Sequence, residues 1–249
     1  MLAGRLPSPQ ARTSRSGTAV ATDAPPTLFR LGATLLWDNL AGLVALNLAG
    51  VVVAAPMVAV GMLLGFVPLV VLSTPLCLVF GGLVGSVVGE LRGEAGGLRR
   101  RFLVTIRSRW RPLLLLGLFA NGCVASCLVT TARVLDEGRS AGAGTVAFWL
   151  VQSAFLVLLV VLLLYALPLA AAYGAGVRPA LRNAAVLASA APLQTLGMLG
   201  LLVVLASSAL WIGLGMWLIV PVVAAVFLGA NCYLQVERLR GGLSAPESR

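Results

Sequence analysis

Side chains able to carry acid–base or metal chemistry are few in this chain and lie far apart. There is no His and no Lys, so proton transfer would fall to carboxylates. Asp38, Glu90, Glu94, Asp136, Glu137 and Glu237 are scattered over separate segments, and no pair of them converges by spacing. Cys123 and Cys127 share a helix face, but two thiols with no further Cys or His close by in sequence make a poor zinc site. All four cysteines (Cys77, Cys123, Cys127, Cys232) lie in apolar runs and read as small apolar thiols, not as a disulfide framework. No Walker-type phosphate loop, Gly-x-Ser-x-Gly elbow or His-Glu-x-x-His pair occurs. The residues point to a protein with no catalytic set, no cofactor and no metal.

The chemistry that is present is cationic. The stretch "LRRRFLVTIRSRWR", residues 98–111, holds Arg99, Arg100, Arg101, Arg107, Arg109 and Arg111. On a helix, Leu98, Phe102, Ile106 and Trp110 recur every four residues as one apolar stripe with Leu103 beside it, and Arg100, Arg107 and Arg111 gather opposite. This spacing predicts an amphipathic helix in the headgroup layer, stripe toward lipid and guanidinium groups toward anionic phosphates, each contributing about 1 kcal/mol. The same arginines offer a docking surface for a protein partner. Nucleic-acid binding is the weaker reading, because the aromatics sit on the apolar stripe and not among the arginines, where bases would stack.

The elements that position this segment follow from hydropathy. Of 249 residues 59% are apolar and 10% charged, against roughly 25% charged in soluble domains, and mean hydropathy is +1.01. The expected fold is all-α, a polytopic membrane protein, since about 20 apolar residues cross a bilayer. Residues 40–89 carry no charged side chain and hold two spans, turning near Gly65 to Pro68. Six spans are predicted, at about 36–63, 68–89, 112–132, 145–172, 184–206 and 209–232, the last two divided at Ser207 and Ser208. Residues 1–33, rich in Arg, Ser, Thr and Pro and lacking the apolar core of a secretory signal, are expected to form a disordered basic tail. The spans occupy a domain over 34–236, and 237–249 form a second tail.

Charge distribution orients this bundle, because cytoplasmic loops collect basic residues. With both termini cytoplasmic, sixteen of the eighteen arginines fall inside; Arg133 and Arg139 fall outside, beside Asp136 and Glu137. Trp37, Trp110, Tyr173 and Tyr233 then lie at inner boundaries and Trp149 and Trp211 near outer ones. The positive balance, +10 overall, is thereby assigned to a membrane surface.

Within the spans, Gly81, Gly85 and Gly89 repeat at i, i+4 and form a small-residue stripe suited to close helix packing, with homodimerisation as the alternative use. Pro56, Pro168 and Pro221 are expected to kink their helices. No ionisable residue lies at mid-bilayer depth, which disfavours proton-coupled transport. Asn47, Asn121, Ser126, Gln152 and Gln194 are left for hydrogen bonds between helices or for a neutral-solute pathway.

The segments "LVALNLAG", "VVLSTPLCLVFGGLVGSVVGELRGEAGGLRRRF" and "YALPLAAAYGAGVRPALRNAAVLASAAPLQTL" resemble the YesL-like family of bacterial integral membrane proteins over roughly residues 35–235. Asn47, the Arg-Gly-Glu turn at Arg92 to Glu94, and Pro168 followed by the basic loop into Asn183 and Pro192 carry the resemblance. After Thr74 and Pro75 this chain departs from the pattern, with "LCLVFGG" where a Thr and a Gly-Pro pair are expected. The resemblance implies a six-span bundle in the bacterial plasma membrane, associated with carbohydrate ABC import systems and carrying no catalytic residues that can be transferred. Two alternatives compete with an accessory role. A permease subunit for a neutral solute would need a Glu-Ala-Ala coupling segment, and "AAAYGAGVRPALRNAAVLASAAP" has Ala where Glu belongs. A self-associating scaffold would use the glycine stripe.

Overall fold

In a computed structural model the described residues are 28–137, 142–212 and 214–244, and all regular structure among them is helical. The expected N-terminal tail lies outside the described residues as far as 27, as do the last five residues of the C-terminal tail. In chain order the helices are α1 (Leu28–Leu64), α2 (Phe66–Leu72), α3 (Pro75–Leu91), α4 (Leu98–Glu137), α5 (Ala143–Tyr173), α6 (Val177–Ala190), α7 (Pro192–Ile212) and α8 (Leu214–Ser244). Five helical segments are long and apolar enough to cross a membrane, or six if the bent pair α6–α7 counts as one span.

α3 occupies the centre. Every residue from Gly81 to Gly89 is buried, and α3 packs against α1, α4, α5 and α8. Small residues make this possible. A Cβ on Gly81 would come within 2.7 Å of Leu113, and one on Gly82 within 2.6 Å of the Phe102 ring. The core that results joins Leu83, Val84, Val88, Tyr165, Val222 and Val226.

Several boundaries differ from the sequence reading, each for a local reason. The turn expected at Gly65 to Pro68 falls at Gly65, whose φ of 109° only glycine adopts readily. The second span is one candidate crossing, Val67–Leu91, close to the expected 68–89, with its hydrogen-bond ladder interrupted between α2 and α3 at Ser73–Thr74, where Pro75 has no N–H. The hydroxyls of Ser73 and Thr74 donate back to the carbonyls of Val70 and Val71 and satisfy that break. α7 continues through Ser207 and Ser208 instead of ending there, and the Ser208 hydroxyl is satisfied within the helix by donating to the Leu205 carbonyl.

Hydropathy alone places the start of the fifth span at residue 184. Instead α6 and α7 meet at 106°, with Ala191 held at φ −138°, ψ 65° ahead of Pro192, a residue that disfavours helix at the position before it. α6 is amphipathic: Ala180, Ala184 and Leu187 are buried at helical spacing, and Arg178, Arg182 and Asn183 are exposed. Absence of charge after Arg182 concealed this helix, because its outer face is finished with Asn, Ala, Val and Ser.

Candidate functional site: the arginine-rich end

The segment expected to be a separate surface helix is continuous with the third span. α4 runs for 40 residues across Pro112, about 60 Å at 1.5 Å per residue. The stripe assigned to lipid faces protein instead: Phe102 is 6% exposed, and both Phe102 and Ile106 cover Gly82 of α3. Leu98 lies against Gly42 of α1. A four-residue repeat advances about 40° around a 3.6-residue helix at each step, so by Trp110 the stripe has rotated outward, leaving that indole 45% exposed.

Three arginines are consumed in holding this end together. Arg101 pairs with Glu90 and also donates to the Glu94 carbonyl, bracing the turn between α3 and α4. Arg92 stacks over the Tyr173 ring at 3.9 Å, donates to the Ala172 carbonyl at 3.2 Å and lies 3.5 Å from Glu94. The Arg109 guanidinium occupies the space where Gly174 would carry a Cβ. Gly174 is the left-handed cap of α5, with φ 66° and its N–H donating to the Leu169 carbonyl. Arg92 and Arg109 therefore both approach the C-terminal end of α5, the negative pole of its dipole.

The other four arginines of residues 98–111 point away from the bundle. Arg99, Arg100, Arg107 and Arg111 are exposed, and Arg111 lies 5.2 Å from the Trp110 ring centroid. Arg99, Arg100 and Arg107 line a shallow groove of about 540 Å³ with Leu103 and Val104, which are 54% and 57% exposed. The free face thus combines fixed cations with apolar side chains on a braced helix.

Gly81, Gly85 and Gly89 face Leu113, Thr105 and the Arg101–Glu94 pair respectively. α4 covers the stripe, so a second copy of the chain has no access to it.

The mid-span polar residues pair between helices. The Asn47 amide donates to the Leu218 carbonyl of α8 at 2.9 Å, and the Asn121 amide to Ser73 and Thr74 at 3.3 and 3.2 Å. Gln152 donates to Ser126 at 2.7 Å, and in the same α4–α5 seam the Trp149 indole donates to Thr131 at 2.8 Å. Gln194 links α7 to α8, donating to Asn231 and accepting from Gln235. Sequence reasoning missed Arg92 with Tyr173 and the buried Tyr165–Thr195 contact of 2.9 Å. A signal for the first was present in Tyr173–Gly174, a helix-stop pattern after an apolar run. Comparison with known proteins finds no matching family model, no matching curated protein and no matching solved structure.

Proposed function

We propose that this chain is a non-enzymatic, multi-pass protein of the bacterial plasma membrane, with both termini cytoplasmic, that acts as an accessory partner of a carbohydrate ABC import system. The observation that carries the docking part is the split among the arginines of α4. Arg101 and Arg109 make internal contacts, while Arg99, Arg100, Arg107 and Arg111 remain exposed, the last three of them on the face opposite Phe102. A helix anchored along one side by Phe102 and Ile106 presents its cations at fixed spacing, which favours an acidic, structured surface and lowers the entropy lost on docking. Anionic headgroups are the second ligand of the same face, because Leu103 and Val104 lie among the cations. Topology rests on the concentration of arginine at one end. The importer and its sugar substrate rest on the YesL-like resemblance of Asn47, Arg92 to Glu94, Pro168 and Pro192.

The test is recovery of the tagged full chain from its host in mild detergent, with cross-linking and mass spectrometry. Cross-links from residues 99–111 to importer subunits are expected, and the triple variant Arg100→Gln, Arg107→Gln, Arg111→Gln should lose them while still inserting. Recovery unchanged in that variant, or a chain recovered with lipid alone, would reject the accessory role.

A further inference from the structure

A cavity of about 800 Å³ lies in the half of the bundle remote from the arginine-rich end, between α1, α3, α4 and α8. Its wall on α1 is a stripe at helical spacing from Asn47 through Val51, Ala55 and Ala59 to Met62, about 22 Å long at 1.5 Å per residue. That length exceeds one leaflet's share of a hydrocarbon core about 30 Å thick. Leu76 and Phe80 of α3 form the facing wall, and among the described residues no charged side chain lines the space. Ala55 and Ala59 are exposed, so the cavity opens sideways between helices.

Polar groups enter this apolar space at only a few points. Asn47 is 3% exposed and its nitrogen is committed to the Leu218 carbonyl, one turn ahead of Pro221, where the ring interrupts the α8 ladder. The Asn121 nitrogen is likewise committed, to Ser73 and Thr74. In both cases the amide oxygen accepts no hydrogen bond among the described residues. An apolar space of this size gives water too few partners to hold it, and an anionic headgroup would enter without any cation to pair with.

We infer that this cavity is a binding site for an uncharged lipid, whose single long hydrocarbon chain lies along the α1 stripe and whose hydroxyl donates to the amide oxygen of Asn47 or Asn121. The site is independent of the accessory role and stands or falls separately from it.

The full chain would be reconstituted in phosphatidylethanolamine–phosphatidylglycerol nanodiscs and irradiated with a long-chain alkanol carrying a diazirine in its tail. Peptide mapping should place the adducts on residues 51–62 and 76–80. Unlabelled alkanol should compete better than the alkane of equal length. Ala55→Trp and Ala59→Phe, each filling the cavity from a different turn, should lower labelling about tenfold, the equivalent of roughly 1.4 kcal/mol of binding. Val203→Phe on the exposed face of α7 should leave it unchanged, and monodisperse elution would report folding of each variant. Wild-type adducts spread evenly over all outward apolar faces would overturn the site, whatever the variants do. So would equal labelling in a folded filling variant, and equal competition by the alkane would reduce the cavity to a groove filled by bulk lipid.

Discussion

At Gly174 two demands meet on one residue. The chain must turn left-handed to end α5, and the Arg109 side chain occupies the space a Cβ would need. Gly174→Ala should therefore destabilise the bundle by about 1–3 kcal/mol, from the left-handed penalty together with overpacking. Thermal unfolding in detergent measures it. Arg109→Gln introduced with Gly174→Ala should recover part of the loss, because the shorter side chain vacates the contested space; strictly additive effects would show that the two residues do not meet. Arg92→Gln should cost about 1–2 kcal/mol, through loss of stacking on Tyr173 and of the charged hydrogen bond to Ala172. A melting temperature equal to the parent's would refute that contact. Part of this division of labour was legible in the sequence. Helical spacing alone sets Arg100, Arg107 and Arg111 opposite Phe102, and it also puts Arg109 beside Leu98 on the buried side. What spacing could not supply was the partner for Arg109, since Gly174 lies 65 residues away and only the packing of α4 against α5 brings it near.

At the scale of elements, the pairing of α3 with α4 governs the architecture. Glycines on α3 give up side-chain volume so that Leu113, Phe102 and Thr105 can enter, and van der Waals contact supplies the association that lipid-facing apolar surface cannot. Gly85→Leu should force Thr105 away and cost about 1–3 kcal/mol or more. The same substitution at Gly197, which has open space around its Cβ position, should stay within about 0.5 kcal/mol. Comparable unfolding curves for the two variants would contradict the packing described. The glycine stripe was visible in the sequence, but its occupant was not: Pro112 reads as a boundary, and packing of α4 on α3 along both sides of it carries the helix through. α6 was hidden for the opposite reason. Its polar face is too weakly polar to interrupt a hydropathy run, so only the 106° bend at Ala191–Pro192 separates it from the span that follows.

For the whole molecule, the distribution of charge is the organising fact. Three arginines brace the ends of α3, α4 and α5 against one another, and four others make an exposed face at that same end. The far half contains an uncharged cavity whose lining includes Asn47 and Asn121. Hydropathy and arginine content made the polarity of the bundle readable from the sequence, whereas the cavity is assembled from residues of α1, α3, α4 and α8 far apart in the chain and left no mark on local spacing. We propose that the first part of α4 is a cytoplasmic extension of a span, fixed on one face and free on the other. Single cysteines at 99, 100, 103, 104 and 107, and at 102, 105, 106 and 109, in a background with the four native cysteines replaced by alanine, test it most directly. With a membrane-impermeant maleimide, no labelling is expected in intact cells. In inverted vesicles, labelling is expected at 99, 100, 103, 104 and 107, with 102, 105, 106 and 109 protected. Labelling from outside, or equal labelling around the whole helix, would contradict it.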